Sequence, residues 1–134
     1  MAATGSCLCG AISFRIDPPP RELTFCHCGQ CRKAQGSAFA TSAPVPAAHF
    51  TLLSGSDALR SYRATPSKAR YFCGHCGSPI YSQVDGNAML RVRAGTLDAG
   101  VDLTPVAHIY TAERADWHAI GDALPRFPGR EPGR

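Results

Sequence analysis

Lysine is nearly absent from this chain: Lys33 and Lys68 are the only two in 134 residues, and the formal net charge of +4 rests on arginine. No lysine-rich polybasic segment exists, and apart from Arg126, Arg130 and Arg134 near the end the arginines are scattered. A nucleic-acid interface is therefore not expected. Long hydrophobic runs are also missing; nothing approaches the roughly 18 apolar residues of a membrane-crossing helix. The first residues, Met1–Ser6, carry neither a basic nor an apolar leader, which makes the cytoplasm the expected location. Aromatics are sparse, at 8%, with Trp117 the single tryptophan. No long amphipathic helical period is present either, so a helical bundle is excluded.

What the chain has is glycine (13), proline (11) and cysteine (7), set between short alternating segments. Ala11–Ile16 alternates and stops at Pro18-Pro19-Pro20. Thr51–Leu53 and Leu59–Arg63 flank a Gly/Ser/Asp turn and read as a hairpin. Ala69–Phe72 and Pro79–Gln83 read as a second one, and Met89–Ala94 and Val106–Tyr110 as further strands. Helix is expected only as short turns, after Cys31 and around Trp117–Ile120. The expected class is all-β, with one domain over residues 1–127 and a flexible Pro/Gly/Arg tail over 128–134.

The seven cysteines fall into three clusters: Cys7-Leu8-Cys9-Gly10, Cys26-His27-Cys28-Gly29-Gln30-Cys31 and Cys73-Gly74-His75-Cys76-Gly77. Reduced cysteines at such spacing are metal ligands rather than disulfides, and an odd number fits poorly with full pairing. Zinc in a structural site takes four protein ligands in a tetrahedron, whereas a catalytic site leaves one position open. The first and third clusters share a cysteine–glycine ending and sum to four thiolates. Cys7, Cys9, Cys73 and Cys76 are therefore expected to hold a structural zinc. Cys26, Cys28 and Cys31 remain as a three-thiolate site. His27 or His75 could close it, but His27 stands between two ligands and should point away, so an open site is favoured.

These motifs, with Gly5-Ser6 before the first cluster, Arg32-Lys33 and Gly36 after the second, Gly55, Leu59 and Tyr62, Gly95–Asp98, His108-Ile109 and Trp117, resemble the glutathione-dependent formaldehyde-activating enzyme and centromere protein V family. The likeness runs from about Gly5 to Phe127. It implies a β-tent of antiparallel sheets fastened by zinc, with the structural ion on Cys7, Cys9, Cys73 and Cys76. A second, catalytic zinc is implied on Cys26, Cys28 and Cys31. Dedicated formaldehyde-activating members run longer at the C-terminus, so the expected activity is the broad carbon–sulfur lyase class, acting on a small thiol such as glutathione. Gln30, Arg32 and Lys33 are candidate substrate contacts. Phe39 and Trp117 are candidate walls, though core aromatics need no such role, and His108 is expected to be structural. The rival reading is a zinc-stabilised module that binds a protein or chromatin without catalysis; a metal or redox sensor is a third.

Overall fold

The computed structural model describes residues 1–133 and divides its strands between two sheets. The small sheet runs β1 (Ala3–Ser6), β2 (Ser13–Ile16), β5 (Phe50–Ser54), all antiparallel. The large sheet is ordered β10 (Thr104–Ile109), β3 (Glu22–Cys26), β4 (Ala40–Pro46), β9 (Met89–Arg93), β8 (Pro79–Val84), β7 (Lys68–Cys73), β6 (Leu59–Thr65). One short helix, α1 (Gly29–Gln35), and three 3₁₀ turns complete the regular structure among the described residues. The fold is thus the all-β arrangement expected. A single pair departs from antiparallel order: β10 lies parallel to β3, which the long chain between them permits.

The period-two pattern decides which side chains meet. Phe14 and Ile16 of β2 are fully buried, while Arg15 between them is exposed. Val45, Ile80, Leu90 and Val92 supply the opposing face from the large sheet, and Cys7 and Cys73 belong to the same core. Phe50 stacks on Phe14 with ring centroids 5.0 Å apart and meets Tyr81 at 5.3 Å, carrying the core from one sheet to the other. Each such buried side chain contributes about 1.5–3 kcal/mol. Gly5 makes the contact between β1 and Phe14 possible, since a Cβ there would fall 2.4 Å from the ring's Cζ.

The expected hairpin between Thr51–Leu53 and Leu59–Arg63 does not form. β5 pairs with β2 in the small sheet, and β6 pairs with β7 in the large one. Alternation specifies a strand but not its partner. Here the Ser54 hydroxyl bonds that of Ser13 at 2.7 Å, and Gly55, at φ +88°, turns the chain away from the small sheet. No helix forms around Trp117–Ile120 either. The 3₁₀ turn lies earlier, at Thr111–Glu113, and Trp117 is 74% exposed, so it neither fills the core nor walls a site.

From Pro125 the chain runs along the open edge of β10. The His108 amide donates to the Pro125 carbonyl at 2.9 Å, that of Thr111 to Phe127 at 3.1 Å and that of Tyr110 to Gly129 at 2.9 Å. The backbone groups of this edge strand and of the turn after it thus pair with residues 125–129, where the tail expected from residue 128 begins. Of that expected tail, Arg134 lies outside the described residues.

Candidate metal centres

Two glycine-closed turns, one a residue longer than the other, build the first cluster. In one, the Gly10 amide donates to the Cys7 carbonyl at 3.2 Å; in the other, Gly77 donates to Cys73 at 2.8 Å, and both glycines have φ of +80°. Only a residue without a Cβ adopts that conformation at no cost, which is why each half-site ends in glycine. The turn at Cys73 is the tip of the β7–β8 hairpin, as its sequence implied. One further bond ties the halves together, from the Leu8 amide to the Ser78 hydroxyl at 2.9 Å, and within the first half Ile12 donates its amide to Cys7 Sγ at 3.2 Å.

The four sulfurs lie within 4.8 Å of one another. Cys7 Sγ is 3.6 Å from Cys9 Sγ, and Cys9 Sγ is 3.9 Å from Cys73 Sγ. A tetrahedral ion with zinc–sulfur bonds of 2.3 Å needs its ligands about 3.8 Å apart. A disulfide needs about 2.05 Å, and all seven cysteines are free thiols. The Ser78 hydroxyl and amide lower the Cys76 thiol to about 5, favouring the thiolate that a metal requires. The donor set therefore fits a closed thiolate site.

The second cluster joins β3 to α1. Cys26 ends the strand, Cys28 caps the helix by accepting the Cys31 amide at 3.3 Å, and Cys31 is buried in the first turn. Their sulfurs also lie within 4.8 Å of one another, with no fourth His, Cys, Asp or Glu in the group among the described residues. His75 is exposed at the other cluster. His27, between two cysteines of the group, turns away from it, with its Nε2 2.8 Å from His108 Nδ1. Hydrogen bonds from Cys26 and Cys28, aided by Arg70, pull the Cys31 thiol far below its ordinary range.

A scan against family models matches residues 2–113 to the glutathione-dependent formaldehyde-activating enzyme family. The chain belongs to that family. A Halomonas elongata protein, provisionally named a glutathione-dependent formaldehyde-activating enzyme, is 27% identical over 128 residues, covering 90% of this chain and 82% of its own length. A Rhodobacter sphaeroides protein of known crystal structure superposes with a TM-score of 0.62 at 22% identity, covering 72% of this chain and 89% of that one.

This family member surrounds its three-cysteine cluster with cations that sequence reasoning missed. Arg70 donates to Cys31 Sγ at 3.6 Å, and Arg93 is buried behind the cluster, donating to the Ser42 and Ser82 hydroxyls at 2.6 and 2.9 Å. Lys68 is half-buried nearby; burial lowers its ammonium, and Cys31 and Cys28 partly restore it. A buried guanidinium needs a counter-charge, and the thiolates supply one for Arg93. The expected contacts are placed less centrally. Lys33 is exposed, Gln30 accepts from Arg70 at 3.5 Å rather than offering its amide, and Arg32 packs in α1 with a buried Nε. The signal for Lys68, Arg70 and Arg93 was their alternation on β7 and β9, which puts them on one sheet face, but only the strand order brings that face to the cysteines.

Behind His27 lies a second feature. A carboxylate only accepts, so His108 Nε2 donates to Asp122, at 2.9 and 3.1 Å from its two oxygens. Burial, reinforced by His108, lowers His27 to about 4, so its ring is neutral. Phe39 packs against the Phe25, His27 and His118 rings, closing this side of the loop with aromatic surface.

Proposed function

We propose that this protein is a zinc-dependent, carbon–sulfur lyase-type enzyme that makes and breaks the carbon–sulfur bond of a thiol adduct, with glutathione or a similar small thiol as the carrier. Cys7, Cys9, Cys73 and Cys76 would hold a structural zinc, and Cys26, Cys28 and Cys31 a second one with catalytic duty. The observation that carries this reading is the contrast in ligand number between the two groups, four sulfurs against three. Zinc bound by three thiolates is electron-rich and weakly Lewis-acidic, and it favours a soft sulfur as its further partner.

The chain's own side chains do the remaining work. Arg70, Arg93 and Lys68 offset the negative charge that gathers when a substrate thiol loses its proton beside three cysteines. Ser42 and Ser82 fix the plane of Arg93, so that its charge is set in place before substrate arrives. The half-buried Phe25 and Phe39, packed on each other and around the buried His27, keep water from one flank of the loop. Seven free thiols suit a reducing compartment, and the cytoplasm is the location we assign. No helix among the described residues is long and apolar enough to cross a membrane.

The test is metal content together with exchange. Purified, reconstituted protein should carry two zinc equivalents and accelerate the exchange of glutathione with its S-hydroxymethyl adduct, read by NMR. Cys28→Ser keeps an oxygen to cap α1 and should hold one equivalent, with the exchange enhancement lost. Equal exchange in the variant would remove the cluster from catalysis.

A further inference from the structure

A cavity of about 190 Å³ opens beside the three-cysteine cluster, with Cys26 and Cys31 in its wall. Its charged lining is strongly one-sided: Lys68, Arg91, Arg93 and Arg130 face a single acidic residue, Glu131. That acid belongs to the C-terminal segment docked on β10. It is 7% exposed, and its Oε1 accepts from Arg91 Nη2 at 3.2 Å. The protein thus inserts a carboxylate of its own into a basic pocket next to the sulfur site.

Size points the same way. Pockets that enclose whole drug-sized ligands are about 300–1,000 Å³. With Glu131 seated, this cavity takes only a fragment of such a molecule. Arg93 is held by two serine hydroxyls, and Lys68 faces the cysteines, so charge remains in the wall after Arg91 has met Glu131. A site built to exclude carboxylates would not retain that surplus.

We propose that Arg91 and Lys68 form a carboxylate subsite beside the three-cysteine cluster, and that Glu131 occupies it as an internal stand-in until a carboxylate of the thiol substrate displaces it. The inference rests on the reading of that cluster as a thiol-adduct site, and it names the substrate class as thiols bearing a carboxylate a few bonds from sulfur. A small mercapto acid fits once the Glu131 side chain swings out. A tripeptide thiol also requires the segment around Arg130 and Glu131 to lift from β10. The apparent affinity of wild type for either is lowered by the fraction of molecules in which Glu131 is seated.

The experiment compares 3-mercaptopropionate with the uncharged 2-mercaptoethanol by calorimetry on the full-length zinc-loaded protein. Wild type should prefer the acid. Glu131→Gln should bind the acid about tenfold more tightly, with 2-mercaptoethanol unchanged, if the stand-in is seated in about nine molecules of ten. Arg91→Gln should weaken the acid alone, and deletion of residues 130–134 guards against a misfolded point variant. In wild type, adding glutathione should speed hydrogen exchange at the Tyr110 amide, which is bonded to the Gly129 carbonyl. If both thiols bind wild type alike and Glu131→Gln changes neither, the subsite is overturned while the thiol reading stands. If neither thiol binds the zinc-loaded protein, the thiol reading falls and the subsite falls with it.

Discussion

Asp122 reaches His108 from an exposed loop, and that hydrogen bond holds its carboxyl below the usual carboxylate range. A group whose folded value is depressed stabilises the fold above its unfolded value, near 3.9, and loses that contribution as pH falls through the folded value. Asp122→Asn should therefore lower the urea midpoint relative to wild type at pH 7, and the difference should shrink below about pH 4. A difference independent of pH would mean that the loop, not the charge, is what matters. Gly55 allows a sterner test. A Cβ there would sit 2.3 Å from the Ala11 carbonyl oxygen, at a φ that side chains resist. Gly55→Ala should cost about 3 kcal/mol in urea denaturation, from overpacking and left-handed strain together.

At the scale of elements, the β7–β8 hairpin carries half of a ligand set at its tip, so one substitution there affects two sheets. Cys73→Ser should remove most of a metal contribution on the order of 10 kcal/mol, comparable with the whole stability of a small domain. Circular dichroism should show loss of sheet structure, in contrast to the folded Cys28→Ser protein; equal retention of structure would show that the four-sulfur group does not hold the fold. That hairpin was legible in the sequence because its chemistry is local: two cysteines, a glycine and flanking alternation specify one turn. The partner of β5 was not legible, because Thr51–Leu53 reads the same whether it pairs with β6 or β2. Nor was the placement of Lys68, Arg70 and Arg93, which lie at least 37 positions from Cys31 and come near it only through the order of strands. Arg32 and Lys33 adjoin Cys31 in sequence, and α1 leaves Lys33 exposed and Arg32 half-buried.

Across the whole molecule the two cysteine groups sit in different apolar clusters, one within the inter-sheet core and the other with Ala40 and Ile109 under the cavity. Chelation should therefore proceed in two stages. The first zinc equivalent should leave without change in circular dichroism, and the second should leave only with cooperative unfolding. A single stage, with both equivalents lost together, would mean that the groups share one stability.

Cys9 and Cys73 stand 64 positions apart, yet their sulfurs share one site. A ribosome delivers the first pair long before the second. During that interval Cys7 and Cys9 are bare on a half-built protein, open to an oxidant or to the wrong ion. With the four sulfurs read as a metal site, as proposed, the vulnerable stage in the life of this molecule is its synthesis, and the supply of metal and reductant at that moment would decide how many copies mature.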